Sequence, residues 1–509
     1  MKNILIAIRS IFKKGRHNVM KIVSLGIGLA VGLVLIAKVY FEQSYDDFYP
    51  DRDRVYQVWA KYQQNGGELK DYPQTSGGIA PTMQQQIPEI ETVTRYTSFG
   101  DWTFTMTDTK MKYSGRCIIA DSCFFDILPR PMLIGNAKEV LSTPMYVLIS
   151  SRIAKNIGGD VIGKNFTVDN SPGRTMTIGG VFEEVPENSH SRYDVIVSMA
   201  SAGRFMWEGS PTNMLGNDRY ISYVKLHKGV NPLALEEQVR TFVNSYFPPE
   251  EQQKVGLSID FSFHKLDNLH KELPQVKRMT WILSLLAFAL IFTAVMNYIL
   301  IVISSIVNRS KEVAVHKCYG ASENNIHGMM FGEALVHIVL SLILALLLIL
   351  AFRGTVEELL ATSLDSLLLS NGSLVLLGIC ILVFFVSGFM PGSLYARIPV
   401  ASAFRNYREN KRIWKKALLL VQFVATGFLV TMLVFVARQY TFMVNDRPGY
   451  AYENLAYCGL AGVDSTSRAK ILDEVMRLPG VAAATTVYQL PFEHASGCLL
   501  YTSDAADEL

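Results

Sequence analysis

The residues whose types and spacing best suit chemistry fall in one short run: Arg309, Lys311, Glu312 and Lys317, closed by Gly320 and Ala321. Three cations and one carboxylate at helical spacing, ended by a glycine, describe a basic helix outside the hydrocarbon core. A second set is Glu333 and His337, at i and i+4 inside an apolar stretch. They suit a polar contact within a helix bundle or a proton relay. A third is Gly158-Gly-Asp-Val-Ile-Gly163-Lys164-Asn165, which fits G-x-x-x-x-G-K. A phosphate loop needs Ser or Thr next, and must open a helix. Here Asn165 follows and NFTVDN reads as a strand, so a turn is expected instead. Six scattered cysteines form no C-x-x-C pair and no zinc spacing. Cys117 and Cys123 could meet across a turn in an oxidising compartment, but the expectation is two half-buried free thiols. No nucleophile elbow, HExxH or ordered triad is found. The expectation is no catalytic residue, no metal site and no cofactor site.

These residues need elements to hold them. Half of the 509 residues are hydrophobic and mean hydropathy is +0.21, with the apolar residues gathered in blocks. That pattern is a membrane protein with a large polar part. A net charge of +3 names no nucleic-acid partner. A spanning helix needs roughly 20 apolar residues. Five stretches qualify: 20–41, 281–305, 332–352, 373–395 and 417–437. Residues 1–19 read as an amphipathic cytoplasmic helix, with Arg9, Lys13 and Lys14 opposite an apolar face. In the first span Lys38 sits where a long side chain can snorkel. Gly28 and Gly32 form a lone GxxxG.

Between the first two spans lies a polar domain, 42–276. Alternation marks strands at 55–62, 175–182, 219–226 and 258–266. Helices are expected at 80–87, 143–157 and 231–247. Without strict strand–helix alternation the class is α+β. The fold class is therefore an α-helical transmembrane bundle with a large α+β periplasmic domain inserted between spans 1 and 2. Lys and Arg set the orientation. The N-terminus, the 306–328 link and the 397–416 link are basic, and the 353–372 link is acidic. This puts the basic segments in the cytoplasm and 42–276 outside; the resemblance given below implies that the membrane is the cell inner membrane. Residues 411–457 repeat the plan of 13–62, which makes 438–497 the start of a second periplasmic domain. Residues 498–509 read as an adaptor-derived tail that cuts the native chain short.

Several stretches resemble the MacB/FtsX-type ABC transporter permeases, in their two-repeat form. YDDFYPDRDRVYQV (45–58), APTMQQQIPEIETVTRY (80–96), ADSCFFDILPRPMLIGNAKEVL (120–141) and GGVFEEVPENSHSRYDVIVSM (179–199) are similar to that family's MacB-like periplasmic core. NYILIVISSIVNRSKEVAVHKCYGAS (297–322) resembles its membrane signature, R-x-K-E-(x)4-K-x-x-G-A. KKALLLVQFVATGFLV (415–430) resembles the start of its second half. The resemblance implies a non-catalytic permease whose ATPase is a separate chain. It implies that 306–328 holds a stalk end and coupling helix, with Arg309, Lys311, Glu312, Lys317, Gly320 and Ala321 at the contact. The implied function is mechanotransmission for export or release of a peptide, lipoprotein or antimicrobial. The alternatives are an FtsX-like scaffold regulating a cell-wall hydrolase, or a transmembrane sensor. Expected partners are a cytoplasmic ABC ATPase, membrane lipid, a second permease copy, and a periplasmic adaptor or cargo lipoprotein.

Overall fold

The first membrane helix, α1 (Asn18–Gln43), packs along the second and third spans, while the fourth packs chiefly on the third and the fifth touches the second. The computed structural model describes residues 17–487 except 169–170, 217, 371, 397–399, 401–412, 447–453, 461–462 and 464. The expected amphipathic helix up to residue 16, most of the 397–416 link, and the 498–509 tail lie outside the described residues. Among the described residues five helices are long and apolar enough to cross a membrane. A Cβ on Gly28 would come within 2.2 Å of the Ala294 Cβ, and one on Gly32 within 2.4 Å of Ile291 Cγ1. The GxxxG of α1 is thus the seam along which it meets the second span at backbone distance. Gly26 makes a similar approach to Leu344 on the third.

Between α1 and the second span the chain builds one 11-stranded mixed sheet. Its main path runs β11 (Leu257–Lys265), β1 (Val55–Gln64), β10 (Ile221–Leu226), β3 (Ile90–Met106), β4 (Lys112–Ala120), β9 (Val195–Ser198), β6 (Tyr146–Ser150), β8 (Ser171–Phe182) and β5 (Met132–Ile134). β2 (Lys70–Tyr72) pairs with β1, and β7 (Asn165–Val168) pairs with β3 and β8. The strands β4, β9 and β6 are covered on both faces, because alternate residues feed two cores. Ile118, Leu148 and Ile196 join Tyr96, Phe124 and Phe182 on one side. Cys117, Ile119, Val147, Ile149 and Val197 join Phe104 and Phe166 on the other. A third core lies where α2 (Ile79–Gln86) and α3 (Glu236–Tyr246) cover β1, β10 and β11. The α+β class stands as expected.

The stretch 143–157 is not one helix. Tyr146–Ser150 is a strand paired with β8 and β9, and only Ser151–Ile157 is helical. The run Val147-Leu-Ile149 is buried on both faces, and burial outweighs the helical period. Gly158 to Lys164 is a turn leading into β7, so the G-x-x-x-x-G-K run opens no helix. Cys117 and Cys123 are free thiols.

The sheet has a paired handle. α1 leads into β1, and β11 leads into the second membrane helix, α4 (Pro274–Ser304). β1 and β11 are antiparallel neighbours over nine residue pairs, from Tyr56↔Lys265 to Gln64↔Leu257.

Candidate functional site

The second span extends beyond its apolar core. α4 has 31 residues, and Pro274 at its first turn starts it seven residues ahead of the expected span. At the inner end one residue, Ser305, separates it from α5 (Ile306–Cys318). The span and the basic stretch are therefore two helices broken at one residue, not one continuous helix. The Ser305 hydroxyl donates back to Val302 O at 2.6 Å, and it lies 3.1 Å from Tyr395 Oη. Such back-bonding bends helices.

α5 ends in a Schellman turn. The Ala321 N–H donates to His316 O and the Gly320 N–H to Lys317 O, both at 3.0 Å. Gly320 has φ +85°, the left-handed conformation this turn requires. Ser322 then caps the next helix, α6 (Glu323–Ala351), by accepting from the Asn325 N–H. Val313 and Ala314 are buried against the bundle. Lys311, Val315 and Tyr319, four residues apart, form an outward stripe in which Tyr319 is 88% exposed. Of the six expected residues, Lys311 and Gly320 are exposed, and Glu312, Lys317 and Ala321 are half-buried. Arg309 lies in the same helix. Val315 and Tyr319 were not among the expected residues. The signal was present: they stand at i+4 and i+8 from Lys311.

The intramembrane pair also resolves. Glu333 Oε1 is 3.6 Å from the Nζ of Lys21, which is wholly buried in α1. His337 Nδ1 is 3.1 Å from Tyr298 Oη on α4. Glu333 and His337 thus tie α6 to α1 and α4 as contacts between helices.

A second constellation lies at the outer end of the bundle. Lys38 does not snorkel into water. Its Nζ is 2.7 Å from Glu42 Oε1 and donates to Thr362 Oγ1 at 2.7 Å. Glu42 Oε2 is 2.5 Å from His270 Nε2, just ahead of α4, and His270 stacks on Tyr45 at 3.6 Å. Glu187 accepts from the Ser363 N–H at 3.0 Å, joining the sheet domain to the 353–372 link. Burial raises the Glu187 carboxyl, but the Ser363 amide and neighbouring hydroxyls hold it below its ordinary range. Next to this, Asp46 is fully buried and holds φ +58°. It accepts from Ser189 Oγ at 2.7 Å and meets His190 Nδ1 at 2.5 Å, while His190 Nε2 reaches Tyr223 Oη at 2.5 Å. The fold therefore brings the 45–58 and 179–199 stretches into direct contact. A cleft of about 520 Å³ is lined by Lys38, Glu42, Glu187, Arg192, His270 and Thr362, among others. Among the described residues no cluster of His, Cys, Asp and Glu could hold a metal ion.

Comparison with known proteins assigns this architecture. The family model for the MacB-like periplasmic core domain matches residues 20–242, and that for the FtsX-like permease C-terminal matches 284–400. The chain belongs to the MacB/FtsX-type ABC transporter permeases, a family of membrane subunits that are generally non-catalytic. Its sheet domain is a periplasmic core domain between the first and later spans. A domain of a protein described as a permease, from Porphyromonas gingivalis, is 33% identical. It covers 43% of this chain and 91% of its own, with a TM-score of 0.40. The periplasmic region of MacB from Actinobacillus actinomycetemcomitans is 15% identical, covering 40% and 87%, with a TM-score of 0.28. The extracellular domain of the noncanonic ABC-type transporter YknZ from Gram-positive bacteria is 12% identical, covering 40% and 98%, with a TM-score of 0.29. No curated protein matches the chain.

Proposed function

We propose that the chain is the membrane lever of an ABC transporter working by mechanotransmission. A separate cytoplasmic ATPase docks on α5, and nucleotide-driven motion there swings the periplasmic core through α4. The spans lie in the cell inner membrane with the N-terminus inside, and two permease halves meet two ATPase copies. The cargo is a peptide, lipoprotein or antimicrobial moved or released outside the bilayer. One observation carries this reading. A single helix, α4, joins the outer constellation at His270 to the Ser305 joint. At a rise of about 1.5 Å per residue such a helix is long enough to cross the bilayer and extend beyond it. Its backbone bonds are satisfied internally, so it transmits motion as a rod. Lys311 with Val315 and Tyr319 offers a partner one charge and an apolar anchor, with Tyr319 of a residue type enriched at interface hot spots.

The test is co-purification of the full chain with nucleotide-binding subunits, read by mass spectrometry of their Walker A peptides. Glu312→Lys with Gly320→Pro should abolish recovery while membrane insertion persists. Unchanged recovery refutes the docking position. Recovery of a cell-wall hydrolase by the outer domain, with no cargo moved, would favour the regulatory scaffold.

A further inference from the structure

Beside the outer constellation a second cleft, about 340 Å³, enters the periplasmic core. Four arginines line it, Arg116, Arg130, Arg152 and Arg192, against Asp101, Glu184 and Asp194. The charges are unevenly matched. Arg152 engages both Glu184, at 3.2 Å, and Asp194, at 2.5 Å. Asp194 also accepts from the Arg116 N–H at 2.9 Å and from Ser150 Oγ at 3.3 Å. Those two carboxylates are therefore already engaged.

Arg130 is the unusual member. It is 5% exposed, yet among the described residues no carboxylate lies within ion-pair distance. Its guanidinium is surrounded by the rings of Phe124, Phe125, Phe182 and Tyr193, with centroids 5.2 to 5.9 Å away. Its Nη2 donates to the carbonyl and hydroxyl of Ser191, while its Nε finds no partner. Aromatic faces offset part of the cost of burying a cation, but a desolvated charge with an unmet donor stays expensive. Burial pulls its pKa below the ordinary arginine value, though an arginine remains a cation. A planar fork of donors held this way suits an oxyanion.

We propose that this cleft binds a phosphate-type oxyanion, with Arg130 at its floor and the exposed Arg116 and Arg192 at its mouth. Arg192 also lines the neighbouring cleft, which begins at Lys38 and Thr362 where α1 leaves the membrane. A headgroup phosphate in the outer leaflet can therefore approach along one continuous wall, and a soluble phosphate can enter from the side. The site needs no nucleotide, so its test is separate from that of ATPase docking.

The full chain is measured without nucleotide at fixed ionic strength. Two probes are used: inorganic phosphate in detergent, and nanodiscs containing phosphatidylglycerol against phosphatidylcholine. The readouts are the thermal midpoint and lipid retained in native mass spectrometry. A saturable rise in midpoint with phosphate identifies a soluble anion. Protection and retention only with phosphatidylglycerol identify a headgroup. Either response should weaken roughly tenfold or more in Arg130→Met and in Arg116→Gln/Arg192→Gln, the loss expected for a charge-assisted hydrogen bond. The exposed pair keeps the test valid if Arg130→Met fails to fold. No saturable response to either probe, or a response equal in wild type and the exposed-pair variant, overturns the site.

Discussion

The two ends of α4 are built differently. At its outer end the chain is cross-linked by charged groups removed from water: Lys38 to Glu42 and Thr362, and Glu42 to His270. Buried Asp46 is bound to Ser189 and His190 close by. At its inner end there is one irregular residue, Ser305, and then a helix whose Lys311, Val315 and Tyr319 face outward. Buried polar groups with full sets of partners fix geometry, since any rearrangement leaves a charge stranded. The inner joint is a one-residue interruption that the Ser305 hydroxyl ties to Val302 O and Tyr395 Oη, none of them charged. The contrast teaches that buried charged contacts lock the outer domain to the bundle, so that it follows α4, whereas uncharged ones join α4 to the helix below Ser305.

The contrast breaks most sharply at Asp46. Asp46→Ala strands His190 and Ser189 and should cost about 3 kcal/mol or more, seen as a lower unfolding midpoint. Next is the helix seam: Gly28→Leu drives a side chain into Ala294 and should cost about 1–3 kcal/mol. It should also loosen α1 from α4, read by cysteine cross-linking between the two helices. At the inner end, Lys311→Glu with Tyr319→Ala should leave the midpoint within about 0.5 kcal/mol, as exposed sites do. The same pair should sharply reduce ATPase recovery. Equal destabilisation at both ends would erase the distinction.

The smallest effect is a pH response at the outer joint. The folded pKa of Glu187 is depressed from 4.5. Its contact with Ser363 is therefore fully present above that value and is lost as pH falls through the lower folded one. The protection of the Ser363 amide, measured from its exchange rate relative to the intrinsic rate at each pH, should fall on acidification through that window and stay flat from pH 6 to 8. A change centred near neutrality would mean another group controls the joint.

The inner end was the legible one. Its charges, its closing Gly320 and the apolar run before it are contiguous, so local spacing reads them. The spans were legible for the same reason. The outer joint was not, because its partners are far apart in sequence: Lys38 meets Thr362 and Glu42 meets His270. Read alone, Lys38 looks like a residue reaching for water. Tyr146–Ser150 misled for another reason: a strand buried on both faces shows no alternation, and a helix fits its run equally well. Ser305 gave no cue, since serine within an apolar helix is tolerated whether or not it bends the backbone.

The adjacency of β1 and β11 has a mechanical meaning. The periplasmic core enters and leaves the membrane through neighbouring strands, each joined by a short connecting segment to one of two helices that also touch. It hangs from a double strap. Tilt of the strap turns the entire sheet as one plate, without sliding any strand past its neighbour.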